Sequence, residues 1–239
     1  VFLYKMFHAS AEAISGMAGS FHDQGLFGDN SPELEDMNNM SDKMWGHYSE
    51  GTVSAEEALK LANSLYSLSV FPQMVDDYFQ LSTPFELKVF SAMVNSGLSS
   101  INAMLTADID MKDENNFLPI GYNVDADNAK ATDADKVTYN GVFDGRGHHI
   151  SNLVIDKSNS VGVGLFGTIT APAEIKNLVL DSNCFIKGYD RVGLIGRSNN
   201  AGMVKLDCLG NEGSVEAVYQ APAGIMGNAN NGSLANITN

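Results

Sequence analysis

The sequence predicts a mainly β fold with an α-helical N-terminal part, a parallel β-helix (solenoid) capped by helices. Three observations predict it. A Gly-apolar-apolar-Gly tetrad recurs at near-constant spacing after residue 160, the hydrophobic period changes from 3.6 to 2 after residue 100, and the composition divides near residue 139. Residues 1–139 carry 21 acids and 7 bases, a net of −14, whereas residues 140–239 carry 8 acids and 7 bases, a net of −1. Nine of the 11 Met precede residue 112, while 18 of the 23 Asn and 16 of the 23 Gly follow residue 100. An acidic, Met-rich front thus joins a Gly/Asn-rich, nearly neutral back.

The front reads as helices. Ala9 to Ala18 can form a short one, with Gly16, Gly19, Gly25 and Gly28 read as loop around it. Ser31-Pro32-Glu33 offers an N-cap, a proline at the first helical position and an early acid. Leu34, Met37, Met40, Met44 and Trp45 then line one face, and Gly46 and Gly51 mark the stop. Ser54 with Glu57 opens a second helix, with Ala58, Leu61, Leu65 and Leu68 on one stripe before Pro72. Thr83-Pro84-Phe85-Glu86 opens a third, with Leu87, Phe90, Met93 and Val94 as its apolar face and Asn95-Ser96-Gly97 closing it. This third helix is expected to cover the N-terminal end of the stack, where open strand edges invite aggregation.

Strand signatures follow. Ala103–Asp110, His149–Ile155, Glu174–Leu180 and Met203–Leu206 alternate apolar and polar residues, each followed by Asn, Gly, Ser or Asp. The tetrads Gly164-Leu165-Phe166-Gly167, Gly193-Leu194-Ile195-Gly196 and Gly224-Ile225-Met226-Gly227 lie 29 and 31 residues apart. A second series, led by Ile150, Ile175, Val204 and Leu234, has spacings of 25, 29 and 30. One short strand set cannot bury its own apolar face, so each copy must cover the next. The tetrad glycines read as tight turns on either side of an inward pair, and Asn suits corners and side-chain ladders. A propeller blade runs to roughly 40 residues, and three copies would not close one.

Tyr139-Asn-Gly-Val-Phe-Asp144-Gly-Arg-Gly-His148-His-Ile-Ser-Asn-Leu153, followed by Val163-Gly-Leu-Phe-Gly167, resembles bacterial surface proteins carrying the GLUG motif. Thr83–Phe90, Met93–Gly97, Leu105–Asp110 and Pro119-Ile120-Gly121 resemble their usual lead-in. The resemblance covers residues 80–239 and implies a right-handed parallel β-helix on the surface of bacteria such as gut Bacteroidetes; it does not imply a catalytic site, because its repeats are scaffold motifs. On it, residues 80–239 form a helix-capped domain of GLUG-type repeats and residues 1–79 a helical region of no assigned role. Asp144 and His148, with Gly164, Gly167, Gly193, Gly196, Gly224 and Gly227, become structural repeat residues. The chain opens on Val1 without a signal peptide and stops mid-repeat at Asn239, so it reads as a processed or truncated piece with further C-terminal repeats.

Charge and composition exclude several classes. A net of −15 argues against nucleic acid and anionic membranes as partners. A 44% hydrophobic content excludes a wholly disordered chain, and no apolar run reaches the roughly 18 residues of a membrane span. Cys184 and Cys208 fall at different phases of the repeat, so both are expected to be buried free thiols.

The polar clusters each have a bland reading. Asp144 and His148 could act as base and acid, with Arg146 taking a carboxylate, but a structural turn is preferred. Asn123-x-Asp125-x-Asp127, with Asp133 and Asp135 beyond, imitates the start of a calcium loop. Asn128 in place of Gly and Ala134 in place of Glu break that pattern, so a solvated excursion is preferred to weak calcium binding. Asp108 and Asp110 should face outward around an inward Ile109, continuing to Asp113 and Glu114 as an acidic edge that could hold calcium and a uronate. Asp190-Arg191 reads as a turn ion pair of little energetic value. His8, His22 and His47 lack metal-site spacing, and no catalytic residue or cofactor is assigned. The favoured function is a non-enzymatic surface module that displays or binds a glycan or another surface protein. The alternative is a polysaccharide lyase or glycoside hydrolase, revived if three of Asp108, Asp110, Asp113, Asp144 and Asp190 meet in one cleft.

Overall fold

The computed structural model describes residues 11–49, 71–114, 117–123, 137–199, 202–229 and 232–238. The expected helix across 54–71 lies largely outside them. Three helices are described: α1 (Ala11–Asp23), α2 (Pro32–Ser49) and α3 (Pro84–Asn95). α1 runs through Gly16 and Gly19, expected in loops, and α2 runs through Gly46, expected as its stop, to Ser49. At α2, Ser31 Oγ accepts from Leu34 N at 3.2 Å, the N-cap bond its position implies. α3 opens with the predicted capping box. Thr83 Oγ1 accepts from Glu86 N at 3.2 Å, and Glu86 Oε2 accepts from Thr83 N at 3.0 Å.

Fifteen strands follow or flank α3. They are β1 (Met74–Val75), β2 (Tyr78–Leu81), β3 (Asn102–Leu105), β4 (Ile109–Asp110), β5 (Val142–Asp144), β6 (His149–Ser151), β7 (Val154–Val163), β8 (Phe166–Ile169), β9 (Glu174–Leu180), β10 (Phe185–Val192), β11 (Ile195–Ser198), β12 (Val204–Asn211), β13 (Ser214–Pro222), β14 (Met226–Asn228) and β15 (Gly232–Thr238). They build three sheets. A nine-stranded sheet runs β1-β2-β3-β5-β9-β12-β15, with β4 and β6 beside that path, and two three-stranded sheets run β13-β10-β7 and β14-β11-β8.

This arrangement corrects the expected fold class. The large sheet is mixed, not uniformly parallel, because β1 and β2 form an antiparallel hairpin. Its two turn residues, Asp76 and Asp77, both have left-handed φ (49° and 65°), which suits a tight hairpin connection. The early strands also keep no fixed period: Phe79 pairs with Ala103, and Ala103 with Phe143, offsets of 24 and 40 residues. The molecule is therefore a mainly β structure of one mixed and two parallel sheets with short helices, and a uniform solenoid capped by helices does not describe it. Periodic pairing is confined to the later strands, where Phe166, Ile195 and Met226 align at the tetrad offsets of 29 and 31.

The second repeat series also pairs differently from the sequence reading. Ile175 lies opposite Phe143 and Leu206, and Leu206 opposite Leu234, while Ile150 pairs with Leu180. Asn152, with φ of 54°, breaks the expected His149–Ile155 strand into β6 and β7.

The core is continuous from α1 to β14. Phe90 of α3 meets Tyr139 and Phe143, each at 6.0 Å between ring centroids, and Phe143 in turn meets Phe166 at 5.1 Å. All four rings are fully buried, so α3 closes the aromatic interior over β5 and β8. Asn95, at the end of α3, fixes the segment that follows: its Oδ1 accepts from Gly121 N and Tyr122 N at 3.0 and 2.9 Å, and its Nδ2 donates to Pro119 O at 3.0 Å. Among the described residues, no helix is long and apolar enough to cross a membrane.

Candidate functional site

The tetrads are the most regular feature: the chain bends at the first glycine of each, between strands of different sheets, and close approach of neighbouring backbone holds the glycine positions as well. Leu165, Phe166, Leu194 and Ile195 are all fully buried, as an inward pair should be. A Cβ on Gly164 would stand 2.6 Å from Leu194 O, and one on Gly193 would stand 2.8 Å from Ala223 O. The fourth position is equally closed: a Cβ on Gly167 would meet Gly121 O at 2.7 Å, on Gly196 it would meet Val163 N at 2.5 Å, and on Gly227 it would meet Val192 N at 2.5 Å. Gly224 O accepts from Leu194 N at 3.1 Å and from Asn211 Nδ2 at 2.6 Å. A left-handed residue also lies two positions before the first glycine of the first two tetrads and three before that of the third. Gly162, Arg191 and Ala221, with φ of 75°, 58° and 59°, follow the aligned residues Val161, Asp190 and Gln220.

The polar candidates gather around Asp108 and Asp110 of the expected outward edge, joined there by His148, His149 and Asn152. Asp108 and Asp110 are exposed on either side of buried Ile109, as alternation requires. Asp108 Oδ1 faces His148 Nδ1 at 3.0 Å and accepts from His149 N at 3.0 Å, and His149 Nδ1 reaches Asp181 Oδ1 at 2.6 Å. Beside this chain of contacts, Asn152 Nδ2 donates to Asp110 Oδ1 at 2.7 Å, and Asn183 Nδ2 donates to Asn152 Oδ1 at 2.9 Å. Two ladders thus tie three successive layers together. The side-chain hydrogen bond from Asp181 raises the His149 pKa above its ordinary value, ahead of a smaller opposing effect of burial. Asp108 is held below the usual carboxylate range, first by the His149 N–H and then by His148.

Asp144 and His148 are not a pair. Asp144 Oδ1 instead accepts from Arg146 N and Asn177 Nδ2, both at 2.9 Å, at an open cleft of ≈ 440 Å³ lined also by Gly147, Val179 and Cys208. Arg146 reaches Met104 Sδ at 3.4 Å. No sequence signal links Asp108 to His148 across 40 residues, because the sequence between them does not repeat. Glu114 of the supposed acidic edge is bound to Lys88 at 2.9 Å, and Asp113 joins no cluster among the described residues.

Opposite charges alternate between layers on the outward faces. Asp144, Lys176 and Asp207 lie in register, as do Asp156, Lys187 and Glu216. Lys187 Nζ reaches Glu216 Oε1 at 2.7 Å, Lys176 reaches Glu174 at 2.8 Å and Lys205 reaches Glu174 at 3.8 Å. Lys176–Glu174 lies within β9, whereas Lys187–Glu216 and Lys205–Glu174 cross between strands and specify register more than they add stability.

The remaining candidates are scattered. Asp190 is buried within β10, not placed on a turn, with Arg191 Nε 3.6 Å away. Cys184 is buried and its thiol donates to Ile150 O at 3.3 Å, while Cys208 is exposed, contrary to the expectation that both are buried. Cys208 carries a left-handed φ of 51° at the position where Asn177 sits one layer earlier. Asn123 is buried beside α1, whereas its proposed calcium partners Asp125, Asp127, Asp133 and Asp135 lie outside the described residues. His22 pairs with Asp29 at 2.7 Å, and His8 and the His47 side chain also lie outside them. Among the described residues, no group of three or more His, Cys, Asp or Glu side chains is arranged to hold a metal ion.

The chain is similar to halomucin of Haloquadratum walsbyi, with 35% identity over 130 residues. That stretch is 49% of this chain and spans 1% of the length of halomucin. No family model matches the chain, and no solved structure matches it.

Proposed function

We propose that the chain is a non-enzymatic module of a cell-surface or extracellular protein, with GLUG-type repeats, that presents the outward faces of its sheets. Adhesion, binding of a glycan or another surface protein, or display is its task. The observation that carries this reading is where the carboxylates go. Hydrolysis or elimination on a polysaccharide needs acids converging on one groove at catalytic separation. Asp108 and Asp110 instead serve the histidine and asparagine ladders, Asp144 holds a turn and Asn177, and Asp190 is buried beside Arg191. The likeness to a stretch of halomucin supports a surface or extracellular setting.

The test is a glycan array run beside a lyase and hydrolase assay on uronate and neutral polymers. Glycan binding without cleavage is the expected result. Release of any shorter product would overturn the non-enzymatic reading.

A further inference from the structure

We infer that the cleft beside the Gly145–His148 turn is a sugar site, which takes a vicinal pair of hydroxyls of a neutral hexose unit between Asp144, Asn177 and Arg146. The inference rests on the reading of the chain as a surface module that binds a glycan, and it gives that reading a place and a ligand class.

The cleft follows from unequal lengths of chain in adjacent layers. Asp144 pairs with Lys176 and His149 with Val179, so four residues of one layer, Gly145 to His148, lie against two of the next, Asn177 and Leu178. The extra residues turn outward, and backbone bonds fix the turn. Gly145 N donates to Lys176 O at 2.8 Å, Gly147 N to Asn177 O at 2.9 Å, and His148 N to Gly145 O at 2.8 Å. Beside it opens the cleft of ≈ 440 Å³, with Val179 and Cys208 on the layers that follow. That volume falls within the range of about 300–1,000 Å³ in which small ligands are held.

The polar groups at the cleft are only half used. Asp144 Oδ1 is taken by Arg146 N and Asn177 Nδ2. Asp144 Oδ2 lies 4.0 Å from Lys176 Nζ, beyond a hydrogen bond, and Asn177 Oδ1 accepts from no group among the described residues. Two acceptors are therefore open, on side chains that hold each other in place. Arg146 supplies donors. Its side chain is exposed and meets Met104 Sδ through Nη1 at 3.4 Å, and among the described residues no carboxylate pairs with it. Its φ of 53° is one that glycine or asparagine adopts at lower cost, so ease of turning does not account for an arginine there.

This set of groups selects the ligand. Arg146 disfavours a cation and Asp144 disfavours an anion, which leaves a neutral molecule rich in hydroxyls. A hydroxyl donates to the carboxylate or the amide oxygen and accepts from the guanidinium, and two neighbouring hydroxyls use both kinds of partner at once. Val179 offers apolar contact to the C–H face of a sugar ring.

Cys208 lines the cleft and is exposed, whereas Cys184 is buried, so the Cys208 thiol reports occupancy. The full chain is alkylated with iodoacetamide and followed by mass spectrometry in the presence of methyl α-mannoside, methyl β-glucoside or methyl β-galactoside. At least one of the three should slow alkylation of Cys208 saturably, by about fivefold at about four times its Kd. Arg146→Ala and Asp144→Asn should each abolish that protection, and Arg146→Ala should leave the melting curve unchanged. Because the Arg146 side chain is exposed, that variant gives an answer even if Asp144→Asn fails to fold. No protection by any of the three sugars, or protection that survives Arg146→Ala, overturns the inference. So does protection by methyl glucuronide alone that Asp144→Asn retains, since the site then takes an anion. The underlying reading fails separately. Glycan binding that both variants retain on the array overturns this site and leaves the module reading standing, while polymer cleavage removes the non-enzymatic reading and leaves hydroxyl recognition at the cleft intact.

Discussion

Gly193 and Gly19 are the same residue type in chemically opposite places. A methyl group on Gly193 meets Ala223 O at 2.8 Å and Ile225 O at 3.0 Å, both backbone atoms of the next layer that cannot swing aside. On Gly19 it meets nothing within 4 Å, on the exposed side of α1. Gly193→Ala should therefore cost about 3 kcal/mol or prevent folding, whereas Gly19→Ala should gain about 0.5–1 kcal/mol from helix propensity. Denaturant midpoints of the two variants check this, and equal shifts would sink it. The tetrads were legible as a repeat because their spacing is near constant. The close packing at their glycines was not, because a glycine at a bend and one held against neighbouring backbone look alike in sequence. Cys208 extends the point. Asn177, one layer away, occupies the same left-handed conformation, which asparagine tolerates better than cysteine does. Cys208→Asn is expected to raise the midpoint by several tenths of a kcal/mol, up to about 1. A lowered midpoint would mean that the exposed thiol does more than fill the corner.

At the scale of elements, legibility depended on how far apart the partners lie. Ser31 and Thr83 were readable as caps because the groups they bind lie three residues away. The β4–β6–β9 edge was not, since Asp108, His149 and Asp181 are separated by 41 and 32 residues and only the fold brings them together. That edge has a pH signature. His149 gains its partner on folding, so its raised pKa favours the charged form in the folded chain. The stabilisation is whole below the ordinary histidine value of 6.5 and is lost as pH rises through the raised folded value. Asp108 works on the opposite limb. Its depressed pKa gives stability above 3.8 that disappears as pH falls through the lower folded value. The other charges near the imidazole, Asp108 and Glu212, push His149 the same way as Asp181. Urea midpoints measured from about pH 5 to about pH 9 should fall on the alkaline side for the native chain and fall less for Asp181→Asn. An identical slope in the two proteins would show that the His149–Asp181 contact carries no linked proton.

Across the whole molecule, the two compositional halves meet different fates. The back half balances 8 acids with 7 bases, and the register sets some of them opposite each other between layers, as in Asp156–Lys187–Glu216 and Asp144–Lys176–Asp207. The front half holds a net of −14 over residues 1–139 with few bases to offset it. The division itself was visible in composition. The antiparallel β1–β2 hairpin and the uneven offsets of the early strands were not, because nothing in residues 71–144 repeats. Salt should separate the halves. Self-repulsion among the front's acids reaches over about a Debye length, roughly 10 Å at 0.1 M, and is weakened as ionic strength rises. The layer ladders are short-range pairs worth at most about 1 kcal/mol each, so screening takes little from strands whose stability is set by a continuous apolar core. Raising monovalent salt from about 0.05 to about 0.5 M should therefore slow hydrogen exchange at the amides of α1, around Met17 to Phe21, while leaving β9 and β12 unchanged or slightly less protected. Equal gains in both regions would mean that the acidic front folds and opens as one unit with the sheets, and that its charge acts on the molecule as a whole.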